Sequence, residues 1–314
     1  MSAEIRVGTC AWVEKGLIAD WYPKTATSAE ARLRHYAEHF DTVEVDASYY
    51  AIPAERTVFH WAQRTPPGFV FHLKAFGLMT GHRVRPEQLP ADLRALVDEV
   101  TPRGDVVPSE ALRDRVFARF RRALDPLRAE SKLGGILLQL PPSAVPGRAA
   151  WDLIDHARAH LPDDELLVEF RQRDWLAPDL RDATLASLRE RGLSYVVVDA
   201  PRVATANVAQ TVVATTSDTA YVRFHGRNAA TWNTRGGGAS ARFDHLYADA
   251  ELGEWVEPLR DLARATSKAY AMFNTNADTQ GPDNAERLRT LLAEHHVPVR
   301  PASGPAQGEL FPLA

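Results

Sequence analysis

Cysteine is nearly absent from this chain. Cys10 is the one cysteine in 314 residues, so no internal disulfide and no cysteine-rich metal knot can form. That usage fits a reducing compartment, and the expected location is the cytoplasm. Long apolar runs are missing too. Nothing approaches the ~20 residues that span a bilayer, and the stretch from Met1 to Val7 lacks the apolar core of a secretion signal. No membrane is expected as a partner. A charge excess of one sign is likewise missing. The 37 Lys and Arg face 41 Asp and Glu, a net charge of -4. This excludes broad, non-specific attraction for nucleic acid and confines any anion site to a local cluster. The first apolar run continues as Gly8-Thr9-Cys10-Ala11-Trp12, without the glycine-rich turn of a dinucleotide-binding sheet.

What the chain does have is a regular succession. Strand-like apolar runs lie at 5–8, 42–46, 69–74, 135–140, 166–171, 194–199, 220–227 and 268–274. Helical stretches separate them. Thr27-Ser28-Ala29-Glu30 has capping-box spacing and opens a helix through His39. Pro53 suits the first position of the next helix, which the Thr65-Pro66-Pro67-Gly68 turn ends. The stretch 109–131 reads as one basic helix with Arg113, Arg115, Arg119, Arg121, Arg122 and Arg128 on a solvated outer face. Further helices are expected at 151–160 and 179–192, then at 249–265 capped by Asp249, and at 283–295 opened by Pro282. Near-continuous apolar strands alternating with helices imply a parallel sheet. Eight units in a chain of this length close most simply as an α/β (β/α)8 TIM barrel. One such domain is expected over 1–298. The segment 75–108 is too long for a connection and reads as a lid or insertion after strand 3. Residues 299–314 read as a flexible tail.

In such a barrel the C-terminal strand ends meet around one opening. Here they carry Glu44 and Asp46, Lys74, Gln139, Glu169 and Arg171, Asp199, then Arg223, His225 and Arg227, and last Asn274 and Asn276. Charge at nearly every strand end, and on one side, points to a site. Glu44 and Glu169 suit general acid and base roles. Lys74 suits a Schiff base or an anion partner. His225 between two arginines is discouraged from becoming cationic and suits a base near neutrality. Glu44, Asp46, Glu169, Asp199 and His225 have the donors for Mg²⁺ or Mn²⁺, without diagnostic spacing. Expected catalytic residues are therefore Glu44, Lys74, Glu169, Asp199 and His225. Gln139, Arg171, Arg223, Arg227, Asn274 and Asn276 are expected to bind an anionic substrate. Cys10, alone behind an apolar strand, is expected to be packed and inert.

The chain resembles the YecE-like family, domain-of-unknown-function family 72, from Ile5 to about Leu292. The resemblance rests on Gly8-Thr9 with Trp12, the run Tyr36 to Glu44, Lys74, Gln139-Leu140-Pro141-Pro142, Glu169-Phe170-Arg171 with Trp175, Val198 to Pro201, Tyr221 to Arg227, and Phe273-Asn274-Thr275-Asn276. It implies a TIM barrel and no particular activity. Cys10 and Ala11 stand where the family usually has Ser and Gly. Near the C-terminus, Gln307-Gly308-Glu309-Leu310-Phe311 resembles the motif that binds the bacterial sliding clamp, with Gln307, Leu310 and Phe311 as matching positions. Three function classes follow: a nucleic-acid-processing or repair hydrolase recruited to DNA by a clamp, a metabolic barrel enzyme on a small phosphorylated or sugar-like substrate, and a non-catalytic ligand-binding protein.

Overall fold

The computed structural model describes residues 2–201, 211–232, 243–301 and 304. Eight strands close into a barrel in chain order. They are β1 (Ile5–Thr9), β2 (Thr42–Val45), β3 (Val70–Lys74), β4 (Leu133–Gln139), β5 (Leu166–Glu169), β6 (Ser194–Asp199), β7 (Thr219–Phe224) and β8 (Lys268–Phe273). All neighbours are parallel, and β8 returns to β1 with Ile5 opposite Ala269. The expected (β/α)8 TIM barrel is the fold.

Around it run α1 (Ala29–His39), α2 (Glu55–Gln63), α3 (Ala91–Arg94), α4 (Glu110–Ala123), α5 (Asp125–Ala129), α6 (Arg148–His160), α7 (Arg181–Glu190), α8 (Asp249–Gly253), α9 (Val256–Ala265) and α10 (Gln280–Glu294). Ser28, one residue after Thr27, caps α1: its Oγ accepts from the Ala31 amide at 3.0 Å. The basic stretch is two helices, because Pro126 sits in the first turn of α5 and starts a new helix after Leu124. The stretch 249–265 is also broken, into α8 and α9. Asp249 is the first helical residue there, and Glu251 accepts from the Ala248 amide.

The segment 75–108 holds short helical turns at Gly77–Thr80 and Pro86–Gln88, then α3, and a bridge between Val100 and Val106. Phe76, Leu78, Met79, Val84, Leu89 and Leu93 are buried, so it is packed onto the barrel. At the other end, Val299 pairs with Ile5 and the Arg300 amide donates to the Ile5 carbonyl at 2.9 Å. The chain is therefore still fastened to the barrel floor at 299 and 300, where a free tail was expected to begin. Gln307, Leu310 and Phe311 lie outside the described residues. No described helix is long and apolar enough to cross a membrane.

One apolar layer fills the space between strands and helices, and a smaller one fills the barrel itself. The inner set includes Leu137, Leu167, Val196, Val198, Tyr221, Tyr270 and Met272. At the floor, Arg6 meets Asp41 at 2.6 Å. Midway up, the His72 ring sits against Tyr221 and Tyr270 at 4.9 and 4.4 Å. Burial pushes its pKa down to about 3, so His72 is a neutral packing group.

Candidate active site

Residues opposite one another in a parallel ladder share a face. Arg223 lies opposite Val198 and Met272, both inner residues, so its side chain points into the barrel. Gln139 and Glu169 are opposite each other, two residues beyond the inner pair Leu137 and Leu167. Alternation thus brings Glu44, Gln139, Glu169, Arg223 and His225 to one layer at the C-terminal end.

Arg223 is the hub of that layer. It is wholly buried and forms short ion pairs with Glu44 on β2 and Glu169 on β5. It also lies 3.3 Å from Asp46. A buried guanidinium needs such partners, because an unpaired ion there costs several kcal/mol. Its fork geometry lets it serve two carboxylates at once. Burial pushes Glu169 up, but Arg223 and His225 outweigh it, so Glu169 stays ionised far below its ordinary range. Gln139 Nε2 adds a 2.8 Å bond to the same carboxylate, and Arg171 lies 3.6 Å from it.

Glu44 behaves differently. Burial raises it to about 7, with Arg223 opposing and the charge of Asp46 adding to the rise. Tyr221, two residues before Arg223, donates to it at 2.8 Å. Burial also acts on Asp46, but Lys74 and Arg223 win and hold this carboxyl below its usual value. Lys74 Nζ is 3.9 Å from Asp46 and lies over the Tyr49 ring.

His225 has both ring nitrogens engaged. Asn274 Nδ2 donates to Nδ1 at 3.0 Å, which leaves the proton on Nε2, 3.1 Å from Glu169 Oε1. Burial lowers its pKa to about 4 against the pull of Glu169. Burial favours the neutral ring, and the geometry turns its Nε2 proton toward Glu169, so that His225 buttresses that carboxylate. Cys10 is buried, and burial with the charge of Glu44 pushes its thiol well up, which disfavours the thiolate.

Above this layer opens a cavity of about 520 Å³. Asp46, Lys74, Gln139, Arg171, Asn274 and Asn276 line it. The Asn276 Oδ1 is shielded and lacks a hydrogen-bond partner among the described residues. Glu14, Trp12, Tyr50 and Trp61 also line the cavity, and none of them was among the expected site residues. Glu14 is raised by burial and by Asp46. A carboxylate near the end of an apolar strand is readable from sequence, whereas Glu14 sits beyond β1 in a loop and gives no such signal. Asp46 was visible at its strand end, though outside the expected catalytic set.

Two expectations are corrected. Asp199 and Arg227 do not join the cluster. Asp199 lies opposite Phe224, which packs outward on Tyr247 and Trp255. Arg227 meets Asp199 at 3.0 Å and Glu254 at 3.0 Å on that outer side. Asp199 faces outward by alternation from the inner Val198, whereas for Arg227 the cause is Gly226, whose φ of 82° turns the chain after β7 and ends the alternation. The expected Mg²⁺ or Mn²⁺ ligand set is not assembled either. Asp199 is elsewhere, and a guanidinium occupies the space between Glu44 and Glu169 where a cation would sit.

The closed (β/α)8 barrel defines a TIM-barrel protein, and its buried ion network under a cavity at the C-terminal face stands where sites of that fold are found. The family model described as protein of unknown function DUF72 matches residues 6–308, and the chain belongs to that family. UPF0759 protein YunF of Bacillus subtilis is 29% identical over 291 residues, 92% of this chain and 94% of that protein. UPF0759 protein YecE of Escherichia coli K12 is 28% identical over 182 residues, 57% of this chain and 56% of that one. The crystal structure of a DUF72 family protein from Thermotoga maritima superposes with a TM-score of 0.73 at 27% identity, covering 92% of this chain and 99% of that one.

Proposed function

We propose that this chain is an enzyme that moves protons on a small anionic or sugar-like metabolite held in the mouth cavity. One observation carries the reading. Asp46 and Glu14 share the cavity wall with Lys74 and Arg171, and their surroundings push the two carboxyls in opposite directions. Paired groups driven apart in this way divide into base and acid. Asp46 is the base. Glu14 is the acid, and Lys74 and Arg171 receive the anionic part of the substrate. Trp12, Tyr50 and Trp61 supply flat apolar walls. The volume suits one small molecule. Glu44, Glu169, Arg223 and His225 lie beneath and hold the mouth rigid, which is how electrostatic catalysis avoids reorganisation.

The test is a thermal-shift screen of hexose phosphates, pentose phosphates and aldonic acids, followed by turnover assays on each hit. Asp46→Asn is expected to lower kcat by about 10²–10⁴. Lys74→Met is expected to act mainly on KM. A hit turned over equally well by Asp46→Asn defeats the assignment, and so does a screen without a single hit.

Nucleic-acid processing is a separate proposal. It is carried by Gln307, Leu310 and Phe311 in the sequence alone, so it ranks second. Binding of the intact chain to a bacterial sliding clamp, lost in the Leu310→Ala/Phe311→Ala double variant, would support it. No binding, or binding kept by the double variant, removes it.

A further inference from the structure

Between α4 and α6, away from the mouth, three side chains gather. His156 and His160 are four residues apart on α6 and so share one face of the helix. Asp114 reaches them from α4. Its Oδ1 lies 3.6 Å from His156 Nε2 and 3.2 Å from His160 Nε2. A donor atom from each of the three lies within 4.8 Å of the others.

Hydrogen bonding alone leaves this cluster unresolved. His160 Nδ1 is 3.0 Å from the His156 carbonyl, which only accepts, so the Nδ1 proton is fixed. In the neutral ring a lone pair then points from Nε2 at the Asp114 carboxylate. His156 Nε2 is shielded from solvent and has no hydrogen-bond partner among the described residues. Both nitrogens therefore face an anion. A proton on His160 alone serves Asp114 but leaves His156 Nε2 at 3.6 Å without a hydrogen bond, and protons on both rings set two cations with centroids 4.2 Å apart under the Phe117 ring. A metal cation between the three groups satisfies all of them.

The distances from Asp114 and the donor types together favour zinc. In a tetrahedral zinc site with bonds of about 2.0–2.1 Å, neighbouring donors lie about 3.3 Å apart. The two Asp–His separations, 3.2 and 3.6 Å, bracket that value. Two imidazoles with one carboxylate suit zinc better than magnesium or calcium, which prefer all-oxygen shells. The His160 bond to the helix carbonyl is the outer contact that orients a ligating imidazole. We propose that Asp114, His156 and His160 bind a zinc ion. Three protein ligands leave a fourth position for water or an added ligand. His156 lies on the wall of a second cavity, of about 660 Å³, which Val84, Asp105, Glu110 and Arg113 also line. That cavity shares no lining residue with the mouth.

The experiment uses the full chain without an affinity tag, stripped with chelator. Zinc is titrated by calorimetry, and cobalt(II) reports coordination by absorption. One equivalent is expected, with the intense visible bands of four-coordinate cobalt and a rise in Tm on zinc addition. Asp114→Asn and His160→Gln alter partly exposed side chains and are expected to keep the metal-free Tm. Each is expected to weaken zinc at least tenfold, and the double variant to abolish the equivalent. Asp46→Asn is expected to retain it. Absence of saturable zinc binding overturns the proposal. So does an equivalent that survives the double variant, or one that disappears with Asp46→Asn.

Discussion

Arg223 and Arg227 lie four residues apart at the end of one strand, and each is paired with carboxylates. Arg223 points inward, is wholly buried, and joins β2, β5 and β7 through Glu44 and Glu169. Arg227 points outward, is 15% exposed, and ties Asp199 to Glu254 in the outer layer. Strict alternation would put both on the same face. The difference shows that the side a strand-end residue takes is decided by the backbone where the ladder stops, here at Gly226. The same chemistry then serves as a site foundation on one side and a loop fastening on the other.

Removing each arginine is the bluntest way to separate the two. Arg223→Ala strands two carboxylates in the barrel and is expected to cost about 3–5 kcal/mol, enough to unfold a marginal protein. Arg227→Ala leaves one buried carboxyl, Asp199, which burial already pushes toward its neutral form, and is expected to cost about 1–3 kcal/mol. Urea denaturation of both variants gives the order, and equal losses would erase the contrast.

Acid sharpens the comparison. His225 has a folded pKa of about 4 against 6.5 unfolded, so its contribution is complete above 6.5 and is lost as pH falls through that interval. The loss is expected to reach about 3 kcal/mol at the lower end. Glu169 is depressed, so its share is present above 4.5 and is lost on further acidification. Asp199 is raised above 3.8 by burial against Arg227, so its share runs the other way, present in acid and lost as pH rises through its folded pKa. Stability measured against pH should therefore fall less steeply on acidification in Glu169→Gln than in the unaltered chain, and more steeply in Asp199→Asn. Changes in slope of the same sign in the two variants would contradict the two placements.

The smallest change addresses the hinge. Gly226→Ala places a Cβ 2.7 Å from the His245 Cβ at a positive φ. The expected cost is about 1–2 kcal/mol, with the loss confined to the loop after β7. Amide exchange should rise at Tyr247, whose hydroxyl accepts from the Gly226 amide, and stay slow at Arg223.

The barrel was legible because eight apolar runs alternate with helices, and strands such as β6 are read within a residue. Breaks inside helical stretches were less so. Pro126 was a visible signal for the restart after Leu124, yet the surrounding basic pattern continues through it. At the mouth, Glu44, Gln139, Glu169, Arg223 and His225 follow from spacing of two along their strands. Asp199 does not, because Tyr195-Val196-Val197-Val198 is apolar on both faces and carries no parity signal. Register with β7 supplies what the sequence lacks. Asp114 was invisible for a related reason: it sits among arginines, and its meeting with His156 and His160 depends on how α4 and α6 pack. The spacing of the two histidines was the readable part.

The bond pattern of Arg223 also bears on how this protein can vary over time. Glu44, Glu169 and Arg223 come from distant points of the chain, yet losing Arg223 strands two carboxyls in the barrel, and losing either glutamate leaves one arm of a buried guanidinium without its partner. Apolar replacement of all three together is physically tolerable, but every route through single changes crosses a poorly folded intermediate. The trio is thus expected to change together, whereas Arg227 spans the buried Asp199 and the exposed Glu254, and its Glu254 end is free to change alone.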